Sequence, residues 1–242
     1  MENENAAPLF SRKETGYLLF SVLSFSLIFF INRWRTTDFS YTTGLSYFLF
    51  AFICTAIITY IAILIQKKRG LALGYVVEYH NSAIFIVLGI AVTFLFLGYA
   101  IVLIPGFVIL GLHPRLRLGH YRSDVHDRDI GFISLLFPIT IFIITLFFLI
   151  LSGLFHSPIF SEVVRIALPL ALISFVPAPK NMGAGMYKWS RIIQFMAFFI
   201  ILLTLIAVSS ADPAIVLGTL IGGLILFVMT VLELLPRIFL GS

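Results

Sequence analysis

Charge is what this sequence has least of. Only 11% of its 242 residues are Asp, Glu, Lys or Arg, 60% are hydrophobic, and the mean hydropathy is +1.09. A soluble enzyme needs about a quarter of its residues charged, and a disordered chain needs few apolar ones, so both classes are excluded. Cysteine is represented by Cys54 alone, which rules out an intrachain disulfide and a Cys-based zinc cluster. Lying inside an apolar run, Cys54 reads as core filler. There is no G-x-G-x-x-G and no G-x-x-x-x-G-K-[ST], so dinucleotide and P-loop sites are missing. Without a G-x-S-x-G, a serine hydrolase lacks its activated nucleophile.

Long apolar runs take the place of these features. A membrane-crossing helix needs about 20 apolar residues, and suitable runs occur at Tyr17–Ile31, Leu45–Ile65, Ser82–Ile104, Ile130–Leu151, 162–176, Ile192–Ser209 and Ala214–Leu232. The expected fold is an all-α polytopic membrane protein with six to seven transmembrane or re-entrant helices and a short strand edge near 71–79. Residues 1–16 read as a polar N-terminal tail and 17–242 as one membrane domain. In the last run Asp212-Pro213 opens a helix that holds Gly218-x-x-x-Gly222 and ends at Glu233. Sixteen Lys and Arg against eleven Asp and Glu leave a net charge of +5, scattered between the runs. That distribution points to orientation and anionic headgroups, with no nucleic-acid partner.

The most polar region is 105–129. Its Arg115, Arg117, Arg122 and Arg128 make it a docking surface for headgroups or protein partners, and Tyr75 and Tyr79 add a second partner-binding surface on the strand edge. His113, His120, Asp124 and His126 are a weak alternative metal set, because interleaved arginines oppose a cation. Glu162 and Arg165, three residues apart, can pair on one helical face.

Three strings, in this order, resemble the archaeal branch of the site-2 protease family of intramembrane zinc metalloproteases. They are Pro105-Gly106-Phe107-Val108, the run Asp129-Ile-Gly-Phe-Ile-Ser-Leu-Leu-Phe-Pro138, and Phe175-Val-Pro-Ala-Pro-Lys-Asn-Met-Gly183 followed by Trp189. Together they imply a site-2-protease-like core over about 45–195. The family's H-E-x-x-H then falls on Ile58-Thr59-Tyr60-Ile61-Ala62, and its Leu-Asp-Gly on Asn181-Met182-Gly183. Two asparagines of the family correspond to Ser174 and Ile141. Ile58, Thr59, Ala62 and Met182 supply neither a zinc ligand set nor a general base, so the resemblance implies the scaffold without the reaction and without a cofactor.

The expected function is therefore that of a pseudoprotease, which binds or helps assemble other integral membrane proteins in the bilayer through an inherited groove and a strand edge. Two alternatives are a structural accessory subunit of a larger membrane complex and an active metalloprotease with its metal relocated to the 105–129 loop. Topology turns on 162–176. A re-entrant 162–176 gives a cytoplasmic N-terminus in the cell membrane, and it is preferred because it brings 177–183 to the same face as the end of the second run.

Overall fold

The computed structural model describes residues 10–34, 40–99, 101–103, 105–112, 125–178 and 180–208. The first helix, α1 (Arg12–Trp34), starts inside the stretch read as a tail. Its start is a capping box. Glu14 N–H donates to Ser11 Oγ (3.2 Å), and Ser11 N–H donates back to Glu14 Oε2 (3.4 Å). An antiparallel partner follows in α2 (Tyr41–Ala72). Lys67 meets Glu14 at one end of the pair, and Arg33 stands over the Tyr47 ring at the other.

The two faces of α2 reverse the pattern of a water-soluble helix. Its exposed side carries Leu45, Leu49, Ile53, Ile57, Ile61 and Ile65 at a spacing of four. The buried side holds Gly44, Ala51, Thr55, Thr59, Ala62 and Gln66 beside Ile58 and Ile63. Branched aliphatics outside with small and polar residues inside suit a hydrocarbon solvent, where close packing and internal hydrogen bonds join the helices. With α4 (Asp127–Phe155), these are three helices long and apolar enough to cross a bilayer, at 23, 32 and 29 residues.

After α2 come β1 (Tyr75–His80), α3 (Ala83–Leu95) and β2 (Phe107–Leu112). The strands pair antiparallel from Tyr75↔Leu112 to His80↔Phe107 and form the two-stranded sheet of the described residues. We call this the strand end of the α1–α2 pair, and the opposite one the turn end. The pairing changes the reading of 82–104. The segment goes out as α3, turns at Leu97 and Gly98, and comes back as non-helical chain through Ile101, Val102 and Leu103. Those three residues are buried, and Val102 N–H donates to Thr93 Oγ1 (3.4 Å). Non-helical backbone is tolerated at such depth only when protein covers it. Gly98 has φ +78°, and a Cβ there would lie 2.7 Å from the Ile31 carbonyl oxygen. Asn32 Nδ2 donates to the Gly98 carbonyl (2.7 Å), so the tip of the hairpin is fixed to the far part of α1.

The most enclosed element is α5 (Pro158–Ser174), buried without a break from Ile166 to Ser174. Glu162 in its first turns lies 3.6 Å from Arg33 at the turn end, and the chain beyond Ser174 reaches Gln66 at the strand end. Thus α5 runs the length of the bundle, and the segment that returns to its starting end is 82–104, not 162–176. The residues 177–183 still finish beside the end of α2. The short α6 (Met182–Trp189) and then α7 (Arg191–Val208) follow, both packed on the same bundle. The run Ala214–Leu232, with Gly218-x-x-x-Gly222 and Glu233, lies outside the described residues.

Candidate functional site

Ile58, Ala62 and Gln66 are spaced four apart on α2 and share one buried face. Gln66 Nε2 donates to the Ile133 carbonyl on α4 (2.8 Å) and lies 3.7 Å from Met182 Sδ on α6. Met182 therefore sits about one helical turn beyond Ala62, at the junction of α2, α4 and α6. Ala62 and Gln66 are 0% exposed, Ile58 3% and Met182 1%, so the junction is closed to solvent. Thr59 is buried alongside. Its hydroxyl and Gln66 Oε1 have no hydrogen-bond partner. Chemically the junction offers an amide, a thioether, a hydroxyl and aliphatic carbon. Ser174 Oγ donates to Leu170 O one turn back (2.6 Å), and Ile141 is core.

Asn181 organises the entry to this junction. From its N-cap position its Oδ1 accepts from Met182 N–H (2.9 Å), and its Nδ2 donates to the carbonyls of Ile173 (2.9 Å) and Val176 (2.8 Å). The orphan carbonyls at the end of α5 are met by the residue that starts α6. Gly183 completes the contact, since a Cβ there would come within 2.2 Å of the Val176 carbonyl oxygen. In Asn181-Met182-Gly183, two of the three residues thus have structural work independent of any metal.

The sheet lies against the same end of the bundle. Tyr75 and Tyr79, expected as exposed contacts, are 1% and 0% exposed. Strand alternation turns them into the core and leaves Val76 and Glu78 outside. The Tyr75 hydroxyl donates to Asp129 Oδ2 in the first turn of α4. The Tyr79 hydroxyl donates to the Pro105 carbonyl and accepts from Ser21 Oγ (2.8 Å), while burial pushes its phenol pKa up.

The free edge of β1 is closed by a carboxylate. Glu14 Oε1 accepts from Tyr79 N–H (2.8 Å), and Glu14 Oε2 binds Lys67 Nζ (2.8 Å). Lys67 Nζ also lies 4.7 Å from the Phe10 ring centroid. Both charged side chains are buried, at 3% and 9% exposed. Because Tyr79 N–H points away from β2, the antiparallel alternation turns the N–H and C=O groups of the opposed Val108, and of Leu110, to the outer edge of β2. No described residue hydrogen-bonds to them there. Ile109 (47% exposed) on the outer face and Leu112 (37%), opposite Tyr75 at the strand's end on the inner face, leave exposed apolar side chains on both sides of that strand.

His126 and Arg128 are exposed at the start of α4, where His126 is the N-cap without a side-chain capping bond. The loop residues His113, Arg115, Arg117, His120, Arg122 and Asp124 lie outside the described residues. Among the described residues no three His, Cys, Asp or Glu side chains gather as a metal set. Glu162 and Arg165 do pair (2.8 Å), and Cys54 is half-buried and free. Sequence reasoning missed Glu14, Lys67 and Gln66. The first was legible as the S-x-x-E of a capping box, and Gln66 as the next step of the Ile58–Ala62 face. Compared with protein-family models, with curated proteins and with solved structures, the chain finds no match.

Proposed function

We propose that this chain is a non-catalytic, site-2-protease-like membrane protein that holds extended segments of other membrane proteins by strand addition to the outer edge of β2. The observation that carries the reading is the asymmetry of the sheet. One edge is closed by Glu14, while the other presents outward Val108 and Leu110 backbone groups with apolar Ile109 and Leu112 beside them. An open apolar edge is an aggregation hazard unless it has an occupant, and an added strand gains main-chain hydrogen bonds with pockets for alternate side chains. The scaffold part of the reading is supported by Met182, which stands beside the α2 face of Ile58 and Ala62, where the resemblance needs its third ligand position.

A photo-crosslinkable residue at Ile109 in native membranes is expected to capture other membrane polypeptides. Leu110→Pro should cut that yield about tenfold, the worth of one lost hydrogen bond. Proline removes an N–H aimed outward and leaves the β1–β2 ladder intact. Crosslinking unchanged by Leu110→Pro, with β1 amides still protected, rejects strand addition.

The bilayer orientation belongs to the same proposal. Arg12, Lys13, Lys67, Lys68, Arg69, Arg128, Lys188 and Arg191 lie at the strand end, and Arg33 and Arg165 at the turn end. By the positive-inside rule the strand end and the N-terminus are cytoplasmic, with α5 as a span and 82–104 as a re-entrant hairpin. In intact cells an impermeant thiol reagent should label Tyr41→Cys and reach Glu78→Cys only after permeabilisation. The reverse pattern inverts the topology.

A further inference from the structure

Gly111 sits in β2 for neither of the reasons that hold Gly98 and Gly183 in place. Those two are fixed by a left-handed backbone or by a carbonyl at close range. The φ of Gly111 is not positive, and among the described residues a Cβ there would meet nothing nearer than the Val76 carbonyl oxygen at 3.9 Å and Val76 Cβ at 4.0 Å. It marks no bulge either, because the ladder runs in unbroken register from Tyr75↔Leu112 to His80↔Phe107. A glycine inside a strand weakens it. With turn, bulge and internal crowding set aside, the remaining use of such a glycine is close approach by a group from outside the chain.

The sheet gives that approach a direction. Gly111 pairs with Val76 on the outer face, and Ile109 stands two residues away on the same face, so the missing side chain leaves a notch between two exposed apolar ones. A strand added antiparallel to β2 takes its hydrogen bonds from Val108 and Leu110. Its residue opposite Gly111 then falls in a non-hydrogen-bonded pair, the kind whose side chains stand closer. A flat ring can lie on the bare glycine backbone with its edges against Val76 and Ile109, the cross-strand rescue by which an aromatic offsets the cost of an edge glycine. The sheet also stands at one end of the long apolar helices α1 and α2. That is the depth at which membrane proteins concentrate Trp and Tyr.

We propose that Gly111 selects the occupant of β2, an extended segment flanking a transmembrane helix of another protein, by receiving a Phe, Tyr or Trp of that segment over its backbone. The proposal rests on the strand-addition reading and adds the side chain that the edge prefers.

The test measures binding of a short fluorescent peptide of alternating threonine and valine to the full-length protein in detergent micelles, with the central residue varied among Phe, Tyr, Trp, Leu and Ala. The three aromatic peptides should bind about fivefold more tightly than the alanine one, the upper end of what a cross-strand pair contributes. Leucine should stay close to alanine. Gly111→Val fills the notch at a position with room for a Cβ, so it should keep the β1 amides protected and bind all five peptides alike. Equal binding of the aromatic and alanine peptides by the unmodified protein overturns the aromatic preference and leaves strand addition standing. A leucine peptide as tight as the aromatic ones overturns it too, as does a preference that survives in Gly111→Val with β1 still protected. Binding of none of the peptides overturns both readings together.

Discussion

Replacing Lys67 by methionine is expected to destabilise the protein by about 3–5 kcal/mol, the usual cost of removing one partner from a buried ion pair. The volume of the side chain changes little, so its packing on Phe10 persists. What is lost is the counter-charge of Glu14, a carboxylate 3% exposed with its Oε2 2.8 Å from the lysine. Reversible denaturant unfolding in mixed micelles, followed through Trp34 and Trp189, measures the loss. The double variant Glu14→Gln with Lys67→Met should recover most of it, because a neutral amide still offers an oxygen to Tyr79 N–H and leaves no charge buried. If Lys67→Met costs less than about 1 kcal/mol, the range of an exposed pair, the ion pair is not a buried anchor. Hydrogen exchange at Tyr79 adds a local reading. Its amide should exchange faster in Lys67→Met, since the carboxylate that receives it is then drawn toward water.

The second large effect is expected at Asn181. Asn181→Ala removes two donors and one acceptor from a site 1% exposed, and it leaves the carbonyls of Ile173 and Val176 without their partner. At about 1–3 kcal/mol for each buried group left unsatisfied, the loss is on the order of 3 kcal/mol. Its location distinguishes it from a general weakening. Protease sensitivity should rise between α5 and α6, around 175–181, before the helices themselves unfold. Asn181→Asp keeps the acceptor for Met182 N–H but turns a carboxylate oxygen toward two carbonyls, so it should destabilise at least as much as alanine. An Asn181→Asp protein as stable as the parent would show that the N-cap bond, and not the grip on α5, is what Asn181 contributes.

Solvent class was legible in the sequence because it depends on sums. Long apolar runs such as Leu45–Ile65 announce a hydrocarbon environment whatever their neighbours do, and α1, α2 and α4 follow from them. The strand near 71–79 was legible too, from its tyrosines and valines. Which side of it faced inward was not, and Tyr75 and Tyr79 are buried because the hydroxyls of both find partners on other elements. The hairpin at 82–104 was misread as a span for a physical reason. Its residues are as apolar as those of a crossing helix, and only the pairing of β1 with a strand 32 positions further on forces the chain to return. The length of α5 misled in the opposite sense. Seventeen residues with an internal proline look too short to traverse, yet they rise about 26 Å. At the α2–α4–α6 junction the resemblance pointed to Met182 and Ala62, while Gln66, the residue that joins them to α4, carried no motif.

The carboxylate of Glu14 also sets how far this sheet can grow. With one flank of β1 occupied by a side chain, the strand addition proposed above would be confined to the outer flank of β2. A second copy pairing through the same flank would make a four-stranded sheet with Glu14 at both outer margins, a closed twofold arrangement with no flank left to extend. Pairing of that kind would stop at two molecules. A single acid near the start of the chain thus serves as the terminator of a ladder whose other side pairs with no described residue.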